Sequence, residues 1–330
     1  MIDINIVHLS IFIIVSFFIT SIIFNILKKR IVYDLNSLNL NTSARTVTSL
    51  GIAFLICFFI ILSFYVYEKS VLEVLPNRYY IFFGSLVILS LVSLWDDINE
   101  IDPKLRLIIQ LILVYFSLTN LDFRNLNLPP KLIIFLALVF WVYTINITNF
   151  IDGSDGHCAV HTIFFFIGTI YISYNFKLDT FSYYLALINL PIMLTFLYFN
   201  KPPAIAFMGD TGSIFLGYII GFIILENIFL FKGLYFISMF LYPILDCTIT
   251  LLKKTIKGTY PWVKLSDYFF LLPIHNGKNH KIVFYASLIY NILNLFFIFL
   301  QINYSNLFFL FNILSAIILL LYFKSFKHGK

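Results

Sequence analysis

The segment "NITNFIDGSDG" at positions 146–156 carries four polar side chains at a constant spacing of three residues. They are Asn146, Asn149, Asp152 and Asp155. Because residues three apart share one face of a helix, the spacing predicts a polar stripe at the end of an apolar helix. Oxygen atoms of Asn and Asp are ligands that suit Mg²⁺, so the stripe is typical of one wall of a metal site. An Asx-rich turn between two helices is the alternative.

Another polar segment, "WDDINEIDPKLRLIIQ", stands between two apolar runs earlier in the chain. Asp96 and Asp97 are adjacent, so on a helix they point in different directions and cannot chelate one ion symmetrically. We therefore expect two separate roles, one toward a metal and one toward a substrate or a neighbouring group. Lys104 and Arg106 follow within the segment. A solvated turn with an aspartate cap is the alternative.

A third polar segment, "NKPPAIAFMGDTGS", places Asp210 just before a long apolar run. Asp, Thr and Ser at the start of a helix cap it, and the free N–H groups there attract phosphate. Gly209 and Gly212 allow a close approach of the backbone to a ligand. A helix cap and a phosphate site are both possible here, and the same segment can serve as both.

The elements that must position these segments are strongly apolar. The chain has 330 residues, of which 61% are hydrophobic and 12% charged, with a mean hydropathy of +0.94. A soluble domain would have about a quarter charged residues. Apolar runs long enough to cross a bilayer predict about eleven transmembrane helices. The expected fold is therefore all-α and polytopic, with residues 1–330 forming one integral membrane domain. The runs are 5–27, 48–67, 79–95, 105–121, 131–150, 158–175, 181–199, 211–231, 234–252, 282–301 and 304–323.

Most of the 22 lysines and arginines fall in alternate connections between these runs. The positive-inside rule then predicts an outer N-terminus and a cytoplasmic C-terminus. The net charge of +6 is mainly a topology signal and calls for no nucleic acid. Most acids fall on the same inner side, which that rule does not require, so they predict a site for a metal and phosphates there. Glu226, toward the outer end of its run, has no role in that site. The inner segments are 28–51, 96–106, 146–161, 200–213 and 253–281.

Together the three polar segments resemble the polyprenyl-phosphate N-acetylhexosamine-1-phosphate transferases. These membrane enzymes initiate bacterial O-antigen, teichoic acid and related glycans, and they include the peptidoglycan lipid I synthase. "NITNFIDGSDG" matches the family's N-x-x-N-x-x-D-G-x-D-G, and "PPAIAFMGDTGSIFLG" matches its P-A-x-x-F-M-G-D-x-G-S-x-x-L-G. "DDINEIDPKLRLIIQ" matches its paired Asp followed by basic residues and Gln. The three stretches occur in order on the predicted inner face, and the resemblance covers most of the chain.

The resemblance implies a cofactor and a set of site residues. The cofactor is Mg²⁺, with Mn²⁺ as an alternative ion, and its implied protein ligands are Asn149 and Asp210. The catalytic acids implied are Asp96, Asp97, Asp152 and Asp155. The implied substrate-binding residues are Arg45, Lys104, Asn146 and His280. Whether Asp97 is a base, a nucleophile or neither stays open.

The chain departs from the family's pattern in two places. Near the second apolar run it keeps Arg45 but has one glycine, Gly51, where the family often has a pair. In the last inner segment "HNGKNH" stands where many members carry H-x-H-H. It is similar, with two extra residues, to the H-x-x-H pair of one O-antigen branch, which makes His280 the better-placed histidine. This segment is thought to help choose the sugar, so the identity of the sugar stays open.

The expected reaction transfers N-acetylhexosamine-1-phosphate from a UDP-sugar to undecaprenyl phosphate and releases UMP. It would be the first membrane step of O-antigen, capsule or cell-wall glycan assembly, at the cytoplasmic face of the bacterial inner membrane. The expected partners are UDP-N-acetylhexosamine, undecaprenyl phosphate and membrane lipid, with a homodimer as one option.

Two other functions are open alternatives. A CDP-alcohol phosphatidyltransferase would show D-G-x-x-A-R, but "SDG" follows Asp152 and Gly153. A transporter would place its acids near the middle of the bilayer, whereas these acids stand at the ends of the apolar runs.

Overall fold

The computed structural model describes residues 6–30, 46–67, 79–123, 128–178, 180–230, 232–258 and 267–326. Within these ranges the chain is helical and its only β-structure is one isolated bridge, which confirms the predicted all-α fold. The helices are α1 (Ile6–Arg30), α2 (Ile52–Tyr67), α3 (Tyr79–Ile98), α4 (Pro103–Ser117), α5 (Pro130–Phe150), α6 (His157–Asn175), α7 (Phe181–Asn200), α8 (Gly209–Phe229), α9 (Gly233–Met239), α10 (Leu241–Ile256), α11 (Leu272–His275), α12 (His280–Asn303) and α13 (Phe309–Ser325).

Each predicted apolar run contains a helix, but among the described residues fewer than eleven helices are full spans. In the described part of the chain eight helices are long and apolar enough to cross a membrane. The pair α9 and α10, bent by 72° at its junction, would make a ninth. Helices α2 and α4 have 16 and 15 residues and fall short of that length. The chain is therefore a multi-pass membrane protein with eight or nine full spans among the described residues.

The break between α9 and α10 has a local cause. Pro243 has no backbone N–H, so it cannot continue the hydrogen-bond ladder to the carbonyl of Met239. Phe240, between the two helices, leaves the helical conformation with φ −113° and ψ 18°. The bend follows from this missing bond.

Helix α8 is the centre of the bundle. It is apolar on all sides and is buried along almost its whole length, as expected for a helix surrounded by other helices. It packs against α5, α3, α7 and α2, while α6 and α7 pack on each other beside it. Outer helices such as α1, α12 and α13 present large apolar side chains to the outside, which lipid would cover. Polar groups are therefore collected inward and at helix ends.

A close contact between α5 and α8 sets the level at which their polar ends meet. A Cβ atom built on Gly217 would lie only 2.6 Å from the Cα of Ile145, so a glycine is needed for this approach. Trp141, one turn before Ile145 in α5, donates its Nε1–H to the carbonyl of Tyr218, the residue after Gly217, at 2.8 Å. Asn149 at the end of α5 thereby comes level with the first turn of α8.

The chain just before α2 is tied to the chain just before α8. Val47 donates its N–H to Ile205 O at 3.2 Å, and Val47 O accepts from Phe207 N at 2.8 Å. Gly51 N donates to Met208 O at 3.0 Å. These backbone bonds hold the third polar segment in place directly ahead of Asp210.

Candidate active site

Acidic side chains from three separate helices meet at one end of the bundle. Asp97 lies at the end of α3, and Asp210 lies in the first turn of α8. Asp152 lies in the 3₁₀ turn Ile151–Gly153 that follows α5. The electrostatic neighbours of Asp152 are Asp210, Asp97 and Asp155, so the three polar segments converge.

Asp97 is held by the start of α8. Its Oδ1 accepts from the N–H of Asp210 at 2.9 Å. Its Oδ2 accepts from the N–H of Thr211 at 3.2 Å and from the Thr211 hydroxyl at 2.6 Å. The first N–H groups of a helix lack partners within the helix and carry partial positive charge, so a carboxylate is stabilised there. Both carboxylate oxygens of Asp97 are thus engaged by one helix end.

Gly209 makes that contact feasible. Its φ of +69° lies in the left-handed region that favours glycine. A Cβ atom at this position would also lie 2.7 Å from Oδ2 of Asp97. The glycine therefore satisfies both the backbone turn before α8 and the close seat of the Asp97 carboxylate.

Arg106 joins the carboxylates of α3 and α8. Its Nη1 lies 2.5 Å from Oδ2 of Asp96 and also contacts Oδ2 of Asp210. The other oxygen of Asp96 accepts from the N–H of Ile101 at 2.7 Å. The Arg106 side chain is 23% exposed, so this cation lies at the open side of the cluster.

Lys104 is placed differently from Arg106. Its side chain is exposed, and its N–H donates to the Asp102 cap of α4 at 2.7 Å. The role in phosphate binding that the resemblance implies for Lys104 stays a prediction, and its exposed position gives it a smaller expected part than Arg106. The sequence did hold a signal for Arg106, because Arg106 and Gln110 are four residues apart and share one face of α4.

The polar stripe of α5 divides between two partners. The Asn149 side chain lies beside the Asp210 carboxylate. Asn146 instead donates its Nδ2–H to Gln110 Oε1 and to Val142 O, both at 2.8 Å. The structure thus brings Asn149 to the acidic cluster and turns Asn146 toward α4.

Asp152 has no described donor for its carboxylate. It lies among three other carboxylates, and none of the described residues donates a hydrogen bond to its side chain. Like charges brought together at the edge of an apolar bundle oppose ionisation unless a counter-charge is present. This carboxylate is therefore the group in the cluster that most needs a cation.

Asp155 and His280 form a second part of the site. Asp155 Oδ2 accepts from Ala204 N at 3.0 Å, and Asp155 N donates to His280 Nδ1 at 3.2 Å. Nδ1 also lies 3.1 Å from the Ser154 hydroxyl oxygen and 3.5 Å from Asp155 Oδ1. An Nδ1 atom that accepts from a backbone N–H leaves Nε2 as the protonated nitrogen of a neutral ring. The ring therefore has Nε2–H free of this network as a donor.

Asn200 is a buried residue of this region that the sequence analysis did not single out. Its Oδ1 accepts from Gly156 N at 2.9 Å, and its Nδ2 donates to Ala206 O at 3.0 Å. It thereby links the second half of "NITNFIDGSDG" to the segment before α8. Its position at the very end of an apolar run was the available signal. Arg45 lies outside the described residues.

Residues 79–227, which comprise α3 to α8 apart from the last two residues of α8, match the family described as glycosyl transferase family 4. A phospho-N-acetylmuramoyl-pentapeptide-transferase of Aliarcobacter butzleri is 26% identical over 290 residues, covering 76% of this chain and 77% of that protein. A probable undecaprenyl-phosphate N-acetylglucosaminyl 1-phosphate transferase of Bacillus subtilis is 29% identical over 186 residues, covering 52% of this chain and 51% of that protein. The chain is therefore similar to glycosyl transferase family 4 across its central part, and to these two transferases over half or more of its length.

The part matched by glycosyl transferase family 4 contains all of the acidic cluster and Arg106. It ends before Asp246 and His280, which lie in the C-terminal third of the chain. The family and the named relatives support a membrane-bound transferase enzyme. The residue roles inside the cluster rest on the geometry described above.

The donor atoms of the acidic cluster fit a hard cation in type and in charge. Among the described residues no group of three His, Cys, Asp or Glu side chains could hold a metal by itself. Mg²⁺ is usually bound by one or two carboxylates together with substrate phosphates, so a complete protein cage is not required. Asp152 and Asp210 supply carboxylate oxygens of this kind, and Asn149 lies beside Asp210.

Proposed function

We propose that the chain transfers N-acetylhexosamine-1-phosphate from a UDP-sugar to undecaprenyl phosphate and releases UMP. The observation that carries this proposal is the convergence of Asp97, Asp152 and Asp210 beside Arg106 at the ends of membrane helices. The names of the two relatives support it, because both describe the transfer of a phosphorylated N-acetyl aminosugar and one specifies undecaprenyl phosphate. The CDP-alcohol and transporter alternatives gain no support from these relatives.

In the proposed reaction an oxygen of the lipid phosphate attacks the phosphorus that carries the sugar. The new P–O bond forms the lipid diphosphate, and the bond from that phosphorus to the bridging oxygen breaks, so that UMP leaves with the electron pair. A phosphate monoester has a second pKa of about 6, so the attacking oxygen is already largely ionised near neutral pH. The protein therefore needs mainly to position two phosphates and to offset their charge.

Asp210, Asn149 and Asp152 would hold Mg²⁺, with Mn²⁺ as an alternative ion. When bound, the metal would supply positive charge that neutralises the diphosphate and the leaving UMP. Arg106 is partly exposed beside the same carboxylates and is placed to pair with a phosphate oxygen. His280, through Nε2–H, would donate to a substrate oxygen. Asp97 holds the first turn of α8 and thereby fixes Asp210, so we assign it a positioning role and neither a base nor a nucleophile role.

The proposal places the site at the cytoplasmic face of a bacterial inner membrane. The nucleotide sugar would arrive from the cytosol, and the lipid phosphate would enter from the adjacent leaflet between helices. The N-terminus would be outside and the C-terminus inside, as the distribution of lysines and arginines predicts. A homodimer stays a prediction.

The decisive experiment incubates purified protein with undecaprenyl phosphate, Mg²⁺ and a panel of UDP-aminosugars, and measures UMP release and lipid-linked sugar. We expect both products with at least one sugar, and loss of both with EDTA or in Asp210→Asn. A parallel arm supplies CDP-diacylglycerol with alcohol acceptors. Release of CMP in that arm, with no UMP from any UDP-aminosugar, would contradict the proposal.

A further inference from the structure

Asp246 is a fully buried carboxylate outside the acidic cluster, and it accepts four hydrogen bonds. Its Oδ1 accepts from Phe269 N at 2.9 Å, and its Oδ2 accepts from Phe270 N at 3.3 Å. The hydroxyls of Tyr242 and Thr250 donate to the two oxygens at 2.7 Å and 3.3 Å. A carboxylate is stable in such a place only when donors satisfy it in this way. Asp246 on α10 thus anchors the 3₁₀ turn Phe269–Leu271 by its backbone.

The anchored turn lies directly against the backbone beside Asp152. A Cβ atom built on Gly153 would be 3.4 Å from the Phe270 ring and 3.4 Å from Cδ2 of Leu271. The Phe270 ring also stacks on the His157 ring, with centroids 4.4 Å apart. The turn therefore touches the chain immediately after Asp152 and again at the start of α6.

A second stacking contact reaches the other side of Asp152. Tyr268, the residue before the turn, stacks on Phe150 with centroids 5.6 Å apart. Phe150 directly follows Asn149 in the sequence. The segment held by Asp246 therefore packs against the polar stripe both before and after the Asp152 carboxylate, at the part of the stripe that no described donor fixes.

We propose that Asp246 is a positioning residue of the transferase site. By holding the turn Phe269–Leu271 through two backbone N–H groups, it fixes the backbone of Ile151–Gly153 and thereby the direction of the Asp152 carboxylate. The kinetic part of this inference rests on the proposed function, whereas the structural part does not. The hydrogen bonds of Asp246 go to α10 and to the turn, and Asp246 is not among the electrostatic neighbours of Asp152, so in this inference it acts only through the turn.

The test compares Asp246→Asn with the matched control Glu226→Gln, using hydrogen–deuterium exchange of the whole protein in nanodiscs. Asn keeps the size of Asp but replaces one acceptor oxygen by a donor, which leaves one turn N–H without a partner. Glu226 likewise accepts a backbone N–H, that of Ser182 at 2.9 Å, but at the start of α7 away from the cluster. We expect about tenfold faster exchange at 268–272 and at 151–156 in Asp246→Asn, since bonds to a charged acceptor are the strong ones. Glu226→Gln should change neither segment.

Kinetics provide the second measurement. If Asp246 orients Asp152 for the reaction, Asp246→Asn lowers kcat about tenfold and changes the KM for the UDP-sugar little. Tyr242→Phe removes one donor to Asp246 and should show the same pattern more weakly, which keeps the test usable if the Asn variant folds poorly.

Three results would overturn the inference. The first is faster exchange at 268–272 with no change at 151–156. The second is a uniform rise in exchange across the chain with a fall in Tm, which would make Asp246 a general core residue. The third is the same pattern in Glu226→Gln. Absence of UMP release by the wild-type protein would contradict the proposed function instead, and the exchange results would still decide the role of Asp246.

Discussion

Arg106 and Lys104 are neighbouring basic residues at the start of α4 that differ in what they contact. Arg106 Nη1 lies against the carboxylates of both Asp96 and Asp210, whereas the Lys104 side chain is exposed. A planar guanidinium presents several donors in a fixed geometry, so it can keep one carboxylate while it meets a phosphate. We therefore expect Arg106 to contribute more than Lys104 to neutralising negative charge at the site.

We expect Arg106→Gln to lower kcat/KM about 10- to 100-fold, since a hydrogen bond to a charged group contributes about 1.5–3 kcal/mol. Arg106→Lys should restore part of that loss because it restores the charge. Lys104→Gln is the matched control and should change kcat/KM less than threefold, a small effect in line with exposed ion pairs. UMP-release kinetics measure all three. An equal or larger loss in Lys104→Gln would refute this ordering of the two residues.

The two asparagines of the polar stripe should also separate in experiment. Asn149 contacts Asp210, so Asn149→Ala is expected to raise the Mg²⁺ concentration for half-maximal activity about tenfold, the lower end of losses on removing groups that support a metal site. Asn146→Ala breaks the bond to Gln110, so it should lower the free energy of unfolding by about 1 kcal/mol and leave the Mg²⁺ requirement unchanged. Mg²⁺ titrations of activity and thermal unfolding measure the two effects. A raised Mg²⁺ requirement in Asn146→Ala alone would reverse the assignment.

At the scale of elements, the contact between α5 and α8 decides whether their polar ends meet. Gly217 allows the two backbones to touch, and the Trp141 bond to Tyr218 keeps their register. The same crossing places Asn149 beside Asp210. The α3–α8 contact similarly seats Asp97 on the first N–H groups of α8.

Gly217→Ala should push α5 away from α8, because the new Cβ would lie 2.6 Å from the Cα of Ile145. We expect a loss of about 1–3 kcal/mol in the free energy of unfolding, typical of overpacking, together with reduced UMP release. Gly84→Ala in α3 is the control, since its Cβ would meet no atom within 4 Å. That variant should unfold at the wild-type temperature or slightly above it, because alanine favours a helix over glycine. Similar losses in both variants would show that the α5–α8 contact is not the cause.

At the scale of the whole molecule, the acidic cluster lies at one end of a bundle whose outer surface is apolar. Apart from the ends of the helices, the outward side chains suit lipid, and the polar groups face other helices. A site for one water-soluble and one lipid substrate needs this arrangement, because each substrate must reach the same acidic cluster from a different phase. The distribution of lysines and arginines predicts that the end with the acidic cluster faces the cytoplasm.

Cysteine labelling can test that topology, because Cys57, Cys158 and Cys247 are all buried and should react little. Lys257→Cys follows α10 at the end of the bundle that holds the cluster, and Lys177→Cys follows α6 at the other end; both lysines are exposed. In intact cells a membrane-impermeant maleimide should label the position-177 variant at least about tenfold more than the position-257 variant, since a charged reagent is excluded from the bilayer. Opened membranes should label both. The reverse pattern in intact cells would overturn the predicted orientation.

Hydropathy and local spacing were enough to predict an all-α membrane protein with three polar segments, because both are properties of short stretches of chain. The three-residue spacing of "NITNFIDGSDG" also identified Asn149 and Asp152 as members of one polar group. The described residues hold fewer full spans than the eleven apolar runs predicted. An apolar run does not reveal that α2 begins only at Ile52, that α4 ends at Ser117 or that α9 and α10 are bent.

The tertiary structure alone decided which polar groups pair. Arg106 reaches Asp210 across a separation of 104 residues, Asn146 turns to Gln110 across 36, and Asp246 holds a turn 23 residues away. Such pairings depend on how helices cross, which in turn depends on the close approach at Gly217 and on the register between α5 and α8. No local pattern of residues encodes those distances. The polar residues of the site could therefore be identified from the sequence, whereas the contacts between them follow only from the packed bundle.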